Sequence, residues 1–271
     1  MSAKLGIIGG GVMGEALLSR LVTQKIYLPS EILVSEPQTQ RRAMLEQKYG
    51  VSTTSHNDLA VRSEVLLLAV KPQIFDIAVL DLQLDVTSEA NHPLPLVLSI
   101  LAGVSLKRLE SAFPGQPVIR AMPNTPATVG AGITAIAAGQ HVQPYHLERA
   151  ETIFKAVGEV VEVPEYLLDA VTGLSGSGPG YVAVAIEALI DGGVAAGLPR
   201  PIATKLALQT ILGTATLLLE TGIHPAELKD RVTSPGGTTI AGIAKLEGSG
   251  FRSALIEAVK AASDRARELG S

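Results

Sequence analysis

A glycine-rich segment near the start of the chain has the spacing that phosphate-binding turns need. Gly9, Gly11 and Gly14 follow a short apolar run at residues 4–8 and precede a helical pattern at 12–23. In that context Gly9 permits a tight turn, Gly11 lets a pyrophosphate approach the backbone, and Gly14 lets helix and strand pack closely. The helix start then offers free N–H groups to the phosphates. An ordinary strand-to-helix turn can have this spacing, but the context favours a dinucleotide site.

The end of the next predicted strand bears on which dinucleotide would bind. Glu36 follows the strand at 31–35, about 20 positions beyond Gly14, where an acidic side chain commonly accepts hydrogen bonds from ribose hydroxyls and favours NAD. Ser35 precedes it, and Arg41 and Arg42 could reach a 2′-phosphate and favour NADP. Glu36 is also compatible with a plain loop carboxylate. The residues therefore leave the choice between the two cofactors open.

Two further segments follow predicted strands and would face the same crevice, because the carboxyl ends of parallel strands line it. Lys71 follows the strand at 64–70 and could meet a phosphate or a ribose, while Pro72 stiffens the turn. The segment at 120–126, Arg-Ala-Met-Pro-Asn-Thr-Pro, follows the strand at 117–121 and is held extended by its prolines. Both fit structural roles equally well, with Lys71 as a surface lysine and Asn124 as a backbone bracket.

A second candidate ligand site is the segment Ser234-Pro235-Gly236-Gly237-Thr238-Thr239, which precedes a predicted helix at 239–247. A helix start has unpaired N–H groups that can bind a small carboxylate. The serine and threonines could equally be simple helix caps. The similar segment at 173–179 also precedes a helix, and a structural role is favoured for it.

The elements that position these residues change character near residue 166. Before it, strands predicted at 4–8, 31–35, 64–70, 94–101 and 117–121 alternate with helices, and 132–137 and 159–163 are candidates to extend the sheet. After it, helical periodicity dominates, at 181–197, 200–221, 225–231, 239–247 and 251–269. We predict an α/β, Rossmann-like, doubly wound N-terminal domain at 1–165 and an all-α C-terminal domain at 166–271.

Composition excludes several classes of function. The chain has no cysteine, which excludes disulfides, thiolate metal sites and cysteine nucleophiles. The net charge of −4 and the lack of a basic cluster argue against nucleic-acid binding. The five histidines have no metal-ligand spacing, and neither a nucleophile elbow nor a P-loop lysine is present.

The distribution of apolar residues predicts a cytoplasmic protein that pairs with itself. The residues at 1–4 run straight into a strand, without the apolar stretch of a signal peptide. The uncharged stretch at 121–147 is interrupted by prolines and glycines, and the apolar stretch at 206–219 is too short to cross a bilayer, so no membrane partner is expected. The stretch at 202–219 has too few polar positions for a solvent-facing helix, which favours a homodimer or a higher homo-oligomer.

Taken together, these segments resemble the pyrroline-5-carboxylate reductase family over essentially the whole chain. The order and spacing of Ser-Pro-Gly-Gly-x-Thr within 225–247 are the most specific part of the resemblance, and 174–179 is similar to the family's domain junction. The resemblance implies reduction of 1-pyrroline-5-carboxylate to L-proline, the last step of proline biosynthesis, by hydride transfer from NADPH or NADH. It also implies that the helical domain binds the substrate and dimerises.

The resemblance also assigns roles to individual residues. Thr239 matches the threonine that contacts the substrate imine, Thr238 and the preceding glycines match the carboxylate-binding loop, and Glu165 matches a substrate-side acidic residue of some members. The predicted catalytic residue is Thr239, no metal is expected, and the predicted substrate contacts are Ser234, Gly236, Gly237, Thr238, Thr239 and Glu165. The predicted cofactor contacts are Ile8, Gly9, Gly10, Gly11, Val12, Met13, Ser35, Glu36, Asn57, Ala69, Val70, Lys71, Pro72, Ile100, Leu101 and Ala102. Glu36 departs from the pattern, because NADP-preferring members tend to have a small or basic residue there.

Two other functions remain as alternatives. The 3-hydroxyacid dehydrogenases also join a Rossmann domain to a helical one, but they need a catalytic lysine on an interdomain helix, and Lys205 is the one candidate. The other alternative is a non-catalytic dinucleotide sensor, against which the retained Ser-Pro-Gly-Gly-Thr-Thr segment argues.

Overall fold

The computed structural model describes residues 3–80, 82 and 95–270, which form two compact units. The first unit comprises Met1–Gly176 and Ala262–Ser271, and the second comprises Ser177–Ala261. Three sequence predictions fall outside the described residues: the start of the strand at 94, the position of His92, and the first two residues of the chain.

The first unit is built on a sheet with eight strands among the described residues, in the order β3-β2-β1-β4-β5-β6-β7-β8. The strands are β1 (Leu5–Ile8), β2 (Ile32–Ser35), β3 (Ser52–Thr54), β4 (Val65–Leu68), β5 (Leu96–Ser99), β6 (Val118–Met122), β7 (Gly132–Ala138) and β8 (Gly158–Glu162). All neighbours from β3 to β6 are parallel, β7 is antiparallel to β6, and β8 is parallel to β7. The predicted Rossmann-like sheet is confirmed, and the two candidate extensions belong to it.

The helices of the first unit cover both faces of the sheet. They are α1 (Val12–Thr23), α2 (Thr39–Tyr49), α3 (Asn57–Val61), α4 (Phe75–Leu80), α5 (Leu106–Ala112), α6 (Pro144–Lys155) and α7 (Leu168–Val171). Six of these elements were not predicted from the sequence, namely β3, α3, α4, α5, α6 and α7. The omission of α6 was avoidable, since Pro144 stands at its first position and Ala150, Ile153 and Phe154 form a buried stripe.

Successive residues of the central strands pack alternately into two hydrophobic cores, one on each face of the sheet, as expected for a sheet that is buried on both faces. Leu5 and Ile7 of β1 pack with Leu67 of β4 on one face. Ile8 packs with Leu66 and other residues on the opposite face. The four residues of β1 are completely or almost completely buried, so the strand that leads into the glycine loop is held rigidly from both sides.

The second unit is helical, as predicted. It contains α8 (Gly178–Ala195), α9 (Arg200–Thr221), α10 (Pro225–Arg231), α11 (Thr238–Gly248) and the first part of α12 (Phe251–Gly270). Within residues 177–261 the buried side chains are Ala203 and Ala207, both on α9. Such a small core is far below what an isolated domain of this size needs.

Helix α9 has the bounds that were predicted for it, Arg200–Thr221. The apolar stretch at 206–219 was expected to be too short to cross a bilayer, yet the whole helix has 22 residues and a mean hydropathy of 1.5 in its most apolar window. By length and composition it is the one described helix that could span a membrane, although core helices of other proteins meet the same criteria.

Candidate functional site

The parallel register brings the predicted cofactor residues of the first unit to one edge of the sheet. Ile8 is aligned with Ser35 on one side and with Leu68 on the other, and Leu68 is aligned with Ser99. The strands therefore end in one row, and the residues that follow them lie along the carboxyl edge of the sheet. These residues belong to the segments 9–14, 35–36, 69–72 and 100–102.

Gly9 is required by the fold of the loop. It has a φ of +104°, and a Cβ there would lie 2.7 Å from the carbonyl oxygen of Ala69. Gly14 is equally constrained, because a Cβ would overlap the carbonyl oxygen of Gly9. The loop is thereby pressed against both its own helix and the end of β4, which is the close packing that the glycine spacing predicts.

Gly11 has different surroundings, which fit a bound pyrophosphate. A Cβ built on Gly11 would have no atom within 4 Å, and Gly11 is the N-cap residue of α1. With no side chain at the cap, the first-turn N–H groups of α1 are open to a ligand. Val12 is 74% exposed beside this opening. The residues present therefore form the kind of cradle that a dinucleotide needs.

Glu36 is held against the glycine loop by backbone donors. Its Oε2 accepts a hydrogen bond from the N–H of Gly10 at 3.1 Å, and its Oε1 accepts one from the N–H of Gln38 at 3.0 Å. The side chain is buried. Glu36 is therefore a fixed part of the loop, and its predicted contact with a ribose stays a prediction.

Both arginines that were considered for a 2′-phosphate are engaged elsewhere. Arg41 donates from Nε to the carbonyl oxygen of Gly10 at 2.7 Å and pairs with Glu15. Arg42 donates to the carbonyl oxygens of Glu36 and Pro37 at 2.8 and 2.9 Å, and to Oγ1 of Thr39. The two guanidinium groups thus fasten α2 to the loop and to the end of β2.

Glu15 anchors the other side of this arrangement. Burial raises the pKa of the Glu15 carboxyl, but hydrogen bonds from Tyr49, Lys48 and Arg41 outweigh it and hold the pKa at about 2. The Tyr49 hydroxyl donates at 2.6 Å and the Lys48 ammonium at 2.9 Å. Glu15 is therefore ionised at neutral pH and serves as the acceptor that joins α1 to α2.

The remaining predicted cofactor residues are brought to this edge by different means. The Ser35 hydroxyl donates to Oδ1 of Asn57 at 2.6 Å, which joins β2 to the start of α3. Lys71 is exposed, and Pro72 begins a short 3-10 turn. Leu101 is buried in the core, so only its backbone can contact a cofactor, whereas Ala102 is exposed.

The loop after β6 contains a bracket formed by Asn124. Its Oδ1 accepts from the N–H of Ile133 at 3.0 Å, and its Nδ2 donates to the carbonyl oxygen of Ser175 at 3.2 Å. The structural alternative for Asn124 is therefore what the structure shows. Ser175 lies in a π-helical turn, Thr172–Gly176, and the structural role favoured for that segment stays a prediction.

Glu165 has partners that the sequence did not reveal. Its Oε1 accepts from the N–H of Leu106 at 2.6 Å and from the Arg120 guanidinium at 3.0 Å. Arg120 is the middle residue of β6 and its side chain is 11% exposed, whereas the Glu165 side chain is 34% exposed. The contacts tie Glu165 to α5 and to the sheet, and its predicted contact with substrate stays a prediction.

The Ser-Pro-Gly-Gly-Thr-Thr segment lies in the second unit and forms an open helix start. The N–H of Gly237 donates to the carbonyl oxygen of Ser234 at 3.0 Å, and Gly236 has a φ of +66°. Helix α11 begins at Thr238, with Gly237 as its N-cap residue. Because glycine has no side chain with which to cap, the first N–H groups of α11 are available to an anion.

Among residues 3–80, 82 and 95–270, no three His, Asp or Glu side chains lie close enough together to hold a metal ion. Two of the histidines serve local structure at helix starts. Nδ1 of His224 accepts from the N–H of Ala226 at the start of α10, and Nδ1 of His146 accepts from the N–H of Gln143 at the start of α6. His146 lies in the first turn of α6 and is partly buried, and its burial lowers its pKa.

Comparison with known proteins places the chain in a family. A Synechocystis protein named pyrroline-5-carboxylate reductase is 63% identical over 271 residues, which cover 100% of this chain and 99% of that protein. The chain belongs to the pyrroline-5-carboxylate reductase family. The assignment covers the whole chain and so decides against the 3-hydroxyacid dehydrogenases.

Family models and solved structures of pyrroline-5-carboxylate reductases agree with this assignment. Residues 165–269 match the model for pyrroline-5-carboxylate reductase dimerisation, and residues 4–103 match the model for coenzyme F420-dependent NADP oxidoreductases. A pyrroline-5-carboxylate reductase from Coxiella burnetii is 36% identical, with a TM-score of 0.90 and full coverage of both chains. A Plasmodium falciparum pyrroline carboxylate reductase with NADP bound is 30% identical, with a TM-score of 0.87 and coverage of 99% of this chain and 98% of that one.

Proposed function

We propose that this chain reduces 1-pyrroline-5-carboxylate to L-proline with NADPH or NADH, the last step of proline biosynthesis. The observation that carries the proposal is the 63% identity, along the whole chain, to a protein named for that activity. The dinucleotide-binding domain is residues 1–165, and the substrate-binding and dimerisation domain is residues 166–271.

The first domain binds the cofactor along the carboxyl edge of its sheet. The open start of α1 at Gly11 takes the pyrophosphate, because it combines free N–H groups with room for the phosphate oxygens. The segments at 69–72 and 100–102 follow the next two strands and line the rest of the edge. When bound, the reduced nicotinamide supplies the hydride that the imine carbon accepts.

The second domain binds the carboxylate of the substrate at the start of α11. Among residues 236–239, the N–H groups other than that of Gly237, which donates to Ser234, are suited to a small anion for the same reason as those at Gly11. The positive end of the helix dipole adds to their effect. Ser234, which is exposed, belongs to the same turn.

Thr239 orients the reacting end of the substrate. Its hydroxyl hydrogen-bonds the ring nitrogen and keeps the imine in one position, while the carboxylate is held by the neighbouring N–H groups. A protonated imine is already electrophilic, so no strong general acid is needed. This explains why the sequence shows no obvious pair of His or Asp side chains for acid–base catalysis.

The proposal is tested by following the oxidation of NADH and of NADPH spectrophotometrically with pyrroline-5-carboxylate as substrate. We expect turnover with at least one of them and proline as the product. Intact dinucleotide binding without any turnover would instead establish the sensor alternative.

Replacing Thr239 tests the mechanism directly. We expect Thr239→Ala to lower kcat by about 10- to 1,000-fold, by analogy with the loss of a donor that stabilises a reacting centre. Thr239→Ser is the matched control, because it keeps the hydroxyl and should retain most of the activity. Unchanged turnover in Thr239→Ala would remove Thr239 from the mechanism.

The chain acts as a homo-oligomer, with the helical domain as the interface, and works in the cytoplasm. Residues 165–269 match a dimerisation model, and large apolar side chains of α9 such as Ile202, Leu206 and Leu212 are more than half exposed in the single chain. A second copy that covers them would supply the core that the second unit lacks. Apart from other copies of the chain, the expected partners of the protein are the small-molecule substrate and the cofactor.

A further inference from the structure

We propose that Glu36 selects NADH over NADPH in this chain by rejecting a 2′-phosphate at the end of β2. The proposal rests on the proposed use of a nicotinamide dinucleotide, and it goes beyond it by naming the cofactor and the residue that chooses. It concerns a position where the sequence alone leaves both cofactors possible.

The Glu36 carboxylate is placed before any cofactor arrives. Gly10 lies inside the phosphate-binding turn, and its N–H donates to Oε2 of Glu36, while the N–H of Gln38 donates to Oε1. Glu36 is 8% exposed, so the carboxylate has little freedom to swing away. In folds of this type, the acidic residue at the end of the second strand faces the ribose beside the pyrophosphate.

The hydrogen-bonding capacity of this carboxylate suits a ribose and not a phosphate. A carboxylate accepts about four hydrogen bonds and donates none. Two positions on Glu36 are taken by backbone N–H groups, which leaves acceptor capacity for the 2′- and 3′-hydroxyls of NADH. In NADPH a phosphate replaces the 2′-hydroxyl, so that donor is lost. The negative charge of the phosphate is also repelled by the Glu36 carboxylate.

The cationic side chains near Glu36 could offset this repulsion only by giving up hydrogen bonds that they already make. Arg41 is committed to the Gly10 carbonyl and to Glu15, and Arg42 to the carbonyls of Glu36 and Pro37. Lys48 also pairs with Glu15. A guanidinium that turned to a 2′-phosphate would leave carbonyl or carboxylate acceptors without their donors, and the fastening of α2 to the loop would be weakened.

Direct binding to the full-length protein tests the proposal without relying on turnover. We would titrate NADH and NADPH separately by isothermal calorimetry, with no substrate present, and compare the two Kd values. We expect NADH to bind about tenfold tighter or more, the effect of two like charges a few ångströms apart in a largely aqueous crevice. In Glu36→Gln this ratio should fall by about tenfold, chiefly because NADPH binds more tightly. A ratio of Kd values is unaffected by a fraction of unfolded variant.

A matched control separates the effect of the Glu36 charge from the general effect of losing a carboxylate next to β2. Glu31→Gln changes the residue just before the first residue of β2, and the Glu31 side chain pairs with Lys4. It should leave the NADH-to-NADPH ratio unchanged. Wild-type binding of NADPH as tight as that of NADH, or an equal loss of both in Glu36→Gln, would overturn the proposal while leaving the reductase activity standing. Failure of both nucleotides to bind the wild type would overturn the proposed function as well.

Discussion

Gly9 and Gly11 belong to one loop but are glycine for different reasons. At Gly9 the positive φ and the approach of the Ala69 carbonyl make a side chain incompatible with the fold. At Gly11 the backbone is extended, with a φ of −69°, and no atom lies within 4 Å of the place that a methyl group would take. The first glycine serves the structure, and we expect the second to serve the ligand.

This difference predicts opposite results for two alanine substitutions. Gly9→Ala should lower the free energy of unfolding by about 2 kcal/mol or more through backbone strain and overlap. Gly11→Ala should leave stability within about 1 kcal/mol but weaken dinucleotide binding by about tenfold or more, since the methyl group would occupy the phosphate position. Denaturant unfolding and calorimetry measure the two effects. Unchanged nucleotide affinity in Gly11→Ala would show that the pyrophosphate does not lie there.

At the scale of elements, Asn124 connects three of them. Its side chain joins the loop after β6 to the start of β7 and to the π-helical turn before α8. Asn124 is buried, so the groups that it satisfies could not easily turn to water instead.

Asn124→Ala should therefore lower the free energy of unfolding by about 1–3 kcal/mol, because buried donor and acceptor groups lose their partners. Asn124→Asp is the informative companion, since it keeps an acceptor for Ile133 but removes the donor to Ser175. Denaturant unfolding should place it below the wild type. Wild-type stability in both variants would mean that the bracket contributes nothing to the fold.

Elements were predictable from sequence where a local signal was strong. The buried strands β1 and β4 stand out as short apolar runs. Helix α9 stands out as a long apolar segment that ends before Gly222, and α12 through the spacing of its apolar residues. The three-residue strand β3 was not predicted from the sequence, because Ser52–Thr54 is polar and at least partly exposed. Its pairing with β2 is decided by the sheet and not by its own composition.

At the scale of the whole molecule, the second unit depends on a partner to bury its apolar surface. Leu212 is 61% exposed on α9, and Leu219 is 85% exposed. An exposed apolar surface of this extent marks an interaction site. The match of this region to a dimerisation model indicates that the partner is another copy.

We expect light scattering to give the mass of a dimer or a larger oligomer for the wild type. Leu212→Glu should shift the equilibrium towards smaller species or lower the thermal midpoint, because a charge cannot be buried cheaply in an apolar interface. Tyr145→Glu, on an equally exposed site of α6 in the first unit, is the control and should keep the wild-type mass. A stable wild-type monomer would refute the assignment of the interface.

The class of fold, the two candidate ligand segments and the family could be recognised from the order of the amino acids. These depend on local spacing, such as the glycines of one turn or the Ser-Pro-Gly-Gly-x-Thr order, and local spacing can be read without coordinates. The partners of Glu36, Glu165 and Asn124 became known from the folded chain alone. Those hydrogen bonds join residues from 9 to 59 positions apart, apart from the one to Gln38. The packing of strands and helices sets which distant group a buried side chain contacts. The local sequence pattern does not contain that information.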